Sequence, residues 1–160
     1  MLSFLWTTFW GKILSTFLVA MVPFIELRGA IPLAAVHGLD LTIAFPVAVL
    51  GNLIPVPFII LFIRKIFLFI RRHFPKLNRL VDRLEEKGRS KREKVEKGIF
   101  WGLFFFVAIP LPGTGAWTGA LIAAMLDIKV KKAFPSIAFG VVTAGVIMAV
   151  LSYAIPGLFF

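Results

Sequence analysis

A chain of 160 residues that is 59% hydrophobic and only 16% charged, with a mean hydropathy of +0.94, falls outside the composition of water-soluble domains, which run at about 25% charged. Lys+Arg 18 against Asp+Glu 8 gives a formal charge of +10, most of it between Arg64 and Lys97. That basic excess reads as the positive-inside mark of a cytoplasmic loop and not as a nucleic-acid footprint. With no cysteine and only His37 and His73, disulfides, thiolate metal sites, cysteine nucleophiles, haem and zinc are excluded, and neither cofactor nor metal is expected.

The chain opens on MLSFLWTTFWGKILSTFLVAMVPF, which lacks the basic start and the small-residue cleavage site of a secretory signal and is expected to remain as structure. Ile13 to Val22, the broken PFIELRGAIP and Ala30 to His37 are each too short to cross a bilayer, which takes about 20 apolar residues. They predict a re-entrant hairpin over residues 1–37, closed at a tip between Pro23 and Pro32, with an outer loop HGLDL free of Lys and Arg. Thr42 to Ile63 is long enough to span, so residues 1–63 form a first repeat with its transmembrane helix over 42–63. Residues 64–98 are a basic cytoplasmic linker. Within it Leu77, Leu80, Val81 and Leu84 recur at helical spacing, and Glu85–Arg89 and Glu93–Lys97 are helix-favouring i,i+4 pairs. Ile99–Ile109, the tip PLPGTG and Ala116–Leu126 make a second re-entrant hairpin over 99–126, flanked by Lys94 and Lys97 before and by Lys129, Lys131 and Lys132 after. Ala133–Ala154 then spans, completing a second repeat over 99–160.

At an offset of 89 residues Pro23 aligns with Pro112, Ala34–Ala35 with Ala123–Ala124, the AFP of Ala44–Pro46 with that of Ala133–Pro135, and Gly51 with Gly140. An odd number of crossings in each half sets the two repeats in opposite orientation, the inverted-repeat plan of secondary transporters. The expected fold is therefore an all-α, multi-pass integral membrane protein of the plasma or inner membrane, with the linker in the cytoplasm and both termini outside. Two broken tips in so short a chain call for shielding by a second protomer, so a homodimer is expected. Trp6, Trp10 and Trp101 suit interfacial anchors, and Asp40 and Asp127 are expected to be solvated at loop ends.

Ionisable groups at membrane depth are functional candidates. Glu26 and Arg28 are the acid and base of the first tip, where Pro23 and Pro32 are expected to break the helix and Gly29 to permit unusual dihedrals. Two residues apart on a regular helix they face different ways, so a direct pair requires unwound backbone. The alternative to a functional role is a clasp in which they neutralise each other. In the second tip Pro110, Pro112, Gly113, Gly115 and Gly119 set the backbone while Thr114 and Thr118 offer hydroxyls. This tip serves either as a half-helix anion site or as small-residue packing. Trp117 either walls a cavity or packs on the opposite hairpin, and Asn52, beside Pro55 and Pro57, is expected to hydrogen-bond across helices or to backbone freed by the breaks; with Arg28, Thr114 and Thr118 these two are the expected substrate-binding residues. No catalytic set can be assembled, so the chain is not expected to be an enzyme.

ELRGAIP from Glu26 to Pro32 and PLPGTGAWTG from Pro110 to Gly119 resemble the small multi-drug export protein family, a branch of the DedA/VTT superfamily, over nearly the whole chain. The resemblance implies two inverted re-entrant hairpins, each followed by a spanning helix. It further implies proton-dependent carriage of lipids such as polyprenyl phosphates or phospholipids, with membrane-embedded acidic and arginine residues essential; Glu26 and Arg28 match these. The chain departs in having no acid between Glu26 and Asp40 and no Arg after residue 99. The expected function is a small transporter or lipid flippase for an amphipathic substrate, a lipid phosphate or a small drug. Its site lies at the midplane between the tips, with Glu26 proton-linked and Arg28 on an anionic headgroup or on Glu26. The alternative is a non-transporting assembly or scaffold protein.

Overall fold

The computed structural model describes residues 6–73, 82, 83, 86, 98–111 and 113–155. The expected linker helix around Leu77–Leu84, the two i,i+4 pairs and Pro112 lie outside these residues. Among the described residues there is no strand, and the longer helices follow in the order α1 (Phe9–Met21), α2 (Glu26–Val36), α3 (Leu41–Leu53), α4 (Pro55–His73), α5 (Ile99–Ala108), α6 (Ala116–Met125) and α7 (Val130–Ala149), the last running into a π-helical turn over Val150–Ala154.

Local chemistry sets the boundaries. Thr8 caps α1, its hydroxyl accepting from the Gly11 amide at 3.2 Å. The helix stops at Val22, which is extended because it precedes Pro23. α2 ends where Gly38 turns left-handed (φ 68°), letting the Leu39 amide reach the Ala34 carbonyl at 2.9 Å and the Gly38 amide that of Ala35 at 2.9 Å, the paired bonds of a Schellman cap. The same bonds recur 89 residues on. Asp127 is left-handed (φ 54°), Ile128 reaches Ala123 at 2.8 Å and Asp127 reaches Ala124 at 3.1 Å. The next helices, α3 and α7, start alike after Asp40 and Lys129 and carry Pro46 and Pro135 at matching places.

α1 and α2 fold back on each other, with the Trp6 ring stacked on His37 at 4.2 Å where their open ends meet. α3 packs chiefly on α1 and α7 chiefly on α5, both through a glycine. A Cβ at Gly51 would strike the Phe17 carbonyl of α1, and one at Gly140 would lie 2.7 Å from Val107 Cβ and 2.9 Å from the Phe104 carbonyl of α5. Gly140→Ala is therefore expected to overpack this contact and lower stability by about 1–3 kcal/mol. Thermal unfolding in detergent measures it, with Gly102→Ala, whose added methyl meets nothing within 4 Å, as the near-neutral control.

Two stretches are long and apolar enough to cross a membrane, Leu41–Ile66 with 26 residues and Val130–Ala154 with 25. The first is not one regular helix. Pro55 and Pro57 supply no N–H, so α3 gives way to α4 at Ile54. α4 then continues past residue 63 to His73, carrying helix into the stretch read as linker. Asp127 is not simply solvated, because Arg64 near the middle of α4 forms an ion pair with it. Leu27, Ile31, Val56, Ile60, Val107, Ile137 and Val141 form the fully buried core between the two halves, and Tyr153 ties the π turn to the first hairpin by donating to the Leu39 carbonyl at 2.7 Å.

Candidate functional site

The two hairpin tips meet, and each finishes the broken helices of the other. A helix start leaves backbone N–H groups without partners and a helix end leaves carbonyls without partners. At the start of α6 the residue in the capping place is Gly115, which has no side chain to offer. Glu26 serves instead from the first hairpin. Its carboxylate, 4% exposed, accepts the Trp117 amide at 3.0 Å and the Ala116 amide at 3.3 Å. A negative group against the positive end of a helix is the favourable arrangement. Glu26 reaches it because Phe24 (φ 71°) and Glu26 itself (φ 53°) are left-handed, which turns the chain sharply after Pro23.

Arg28 does the opposite job at the end of α5. Its guanidinium donates to the carbonyls of Leu111, Ile109 (3.1 Å) and Val107 (3.3 Å) and to the Thr114 hydroxyl (3.1 Å), a positive fork over a helix's negative end. Thr114 holds this corner closed, its hydroxyl lying 2.8 Å from the Ile109 carbonyl and 2.9 Å from that of Leu111. In return, Trp117 Nε1 donates at 3.2 Å to the Met21 carbonyl at the end of α1.

The direct pair of Glu26 with Arg28, the alternative to a functional role, does not form. The two diverge from the start of α2, and both are satisfied by the second hairpin. The anion place at the second tip is likewise taken, by Glu26 itself. Gly115 makes this fit possible: its φ of 149° is closed to most side chains, and a Cβ there would run into the Glu26 carboxylate, 2.7 Å from Oε1. Gly119 serves packing, a Cβ there falling 2.8 Å from Val107. Gly29 is similar, since a Cβ would strike Ile25. Gly113 (φ 82°) has open space around it, and Pro23 and Pro110 flank the breaks.

Two expectations need correction. Pro32 lies inside α2 and does not break it, since a proline φ suits a helix and only the bond to the Arg28 carbonyl is forfeited. Asn52 is 1% exposed, but neither its amide nitrogen nor its oxygen has a hydrogen-bond partner among the described residues. Thr118, half-buried on α6, makes no side-chain hydrogen bond with the described residues. The site's main acceptors, the carbonyls of Met21, Val107, Ile109 and Leu111, escape sequence reasoning because a carbonyl belongs to every residue. The offset of 89 held the missing signal, for it pairs Glu26 with Gly115 and Arg28 with Trp117.

A family model described as "putative small multi-drug export protein" matches residues 26–147. The match opens on Glu26, within the first tip, and takes in Arg28, the second tip and nearly all of α7. Neither the curated proteins nor the solved structures contain a match to the chain. The two apolar membrane-length stretches agree with the location that the family implies. This chain is a membrane protein of the small multi-drug export family.

Proposed function

We propose that the protein is a proton-linked secondary transporter for an amphipathic substrate, a lipid phosphate before a small drug. Its two hairpins are read as re-entrant and related by inversion. The observation that carries this reading is the buried Glu26 carboxylate seated on the amides that follow Gly115. Glu26 and Gly115 are counterparts at the offset of 89, so each tip meets the other at the same point. Arg28 and Trp117 are also counterparts, and each donates to the end of the first helix of the opposite hairpin. Contact between counterparts together with a reciprocal pair is the signature of a two-fold relation. It supports inverted repeats, each a hairpin and a span, with the linker cytoplasmic and both termini outside.

Such a junction is a switch whose holding force depends on one proton. As a carboxylate, Glu26 accepts charge-assisted bonds from α6; as an acid it loses the charge and much of its strength as acceptor. Protonation loosens the tips, and Arg28 is then available to an anionic headgroup. A different observation favours the scaffold reading: Glu26 and Arg28 are both already satisfied within the chain, as a permanent clasp requires.

Proteoliposomes loaded with a fluorescent lipid phosphate, and in parallel with a small cationic dye, separate these readings. Movement of the lipid phosphate that requires an imposed pH gradient is expected, and an ionophore that collapses the gradient should stop it. Dye movement alone would replace the substrate, and movement of neither would favour the scaffold.

A further inference from the structure

Trp117 does more than join the tips. It also forms one end of an open groove of ≈ 670 Å³ along α4, floored and walled by Pro55, Phe58 and Phe62 and closed at the far end by Lys65. Phe58 is 67% and Phe62 63% exposed, so the groove faces outward and not into the core. From Pro55 to Lys65 a helix rises about 15 Å, half the roughly 30 Å hydrocarbon thickness of a bilayer. If the tips lie at the midplane, as the transporter reading holds, the groove runs the depth of one leaflet. Its inner end is the tip tryptophan and its outer end a lysine at headgroup level. Lys65 makes no hydrogen bond or ion pair with the described residues, unlike its neighbour Arg64, which is engaged by Asp127.

We infer that this groove binds one anionic phospholipid, its phosphate on Lys65 and the end of its hydrocarbon chain against Trp117. Apolar walls alone do not select a lipid, since every tail in the bilayer is equally apolar. Selection comes from the lysine, whose attraction for an anionic headgroup is worth roughly a fivefold preference over a zwitterionic one. The aromatic floor holds the chain by dispersion contact along its length. The inference rests on the midplane placement of the tips but not on transport.

Trp117 itself reports on it. With Trp6, Trp10 and Trp101 changed to Phe, Trp117 is the remaining tryptophan, and lipids brominated near the chain end quench it on contact. Brominated phosphatidylglycerol is expected to half-quench at about one-fifth the mole fraction that brominated phosphatidylcholine requires. Lys65→Gln should merge the two curves, and Lys65→Arg should keep them apart. Curves that coincide in the parent, or stay apart in Lys65→Gln, overturn the site. Stronger quenching by bromines near the headgroup than at the chain end overturns it too and removes the midplane reading with it. Chain-end quenching with no headgroup preference removes the lipid site alone.

Discussion

Adding one methyl group at Gly115 should cost more than adding it at any other glycine of the two tips. Gly115→Ala forces a side chain onto a backbone at φ 149° and pushes its Cβ into the Glu26 carboxylate. The first effect is worth about 1–3 kcal/mol. The second lifts Glu26 off two amides and leaves a carboxylate and a helix start buried without partners, for a total of about 3–5 kcal/mol. Thermal unfolding in detergent should show a large drop in midpoint. Gly113→Ala shares the positive φ (82°) but meets nothing within 4 Å, so it should lose only the backbone part, about 1 kcal/mol. Combining Gly115→Ala with Glu26→Ala should cost clearly less than the sum of the two single changes, because the carboxylate that the methyl strikes is gone. Strict additivity would mean that Glu26 does not lie against Gly115.

Much of this arrangement was legible in the sequence because it depends on local signals. Pro23 ends α1, Gly38 ends α2, and the HGLDL loop and the stretch before Lys129 fall where helices change direction. The αL turns at Gly38 and Asp127 fall at the same offset of 89. What the sequence hid is set by contacts between distant residues. Glu26 and Arg28 look like a pair because they are neighbours in the chain, yet their partners lie in the other hairpin, at Ala116 and Trp117 and at the end of α5. Pro32 looked like a breaker because proline breaks helices in general; packing of Leu27, Ala30, Ile31 and Ala34 in the core holds α2 together across it. Asn52 looked like a cross-helix donor, but its neighbours on the buried stripe of α3 and α4 are Ala48 and Val56, which offer no side-chain acceptor.

The second large effect is on activity. Glu26→Gln keeps the shape of the side chain and one oxygen that can accept from the start of α6, so the fold should survive. The glutamine nitrogen cannot accept, so one of the two bonds from the Ala116 and Trp117 amides is lost, and with the weaker neutral bond and the lost helix-end interaction the cost is about 2–4 kcal/mol. A glutamine cannot alternate between charged and neutral forms, so on the proton-linked reading the tips lose the change in hold that the proposed carrier requires. Gradient-driven movement should fall at least tenfold even where the protein is fully folded. This separates the two readings of the junction, because a scaffold needs only the clasp, whereas a carrier needs the clasp to open.

The most direct measurement is therefore made on one preparation of Glu26→Gln, recording its unfolding midpoint in detergent and its transport of a fluorescent lipid phosphate in proteoliposomes under an imposed pH gradient. The expected result is a folded protein with a lowered midpoint and no gradient-driven movement, beside a parent that moves the lipid. A folded Glu26→Gln protein that transports as well as the parent would contradict the proton-linked role of Glu26.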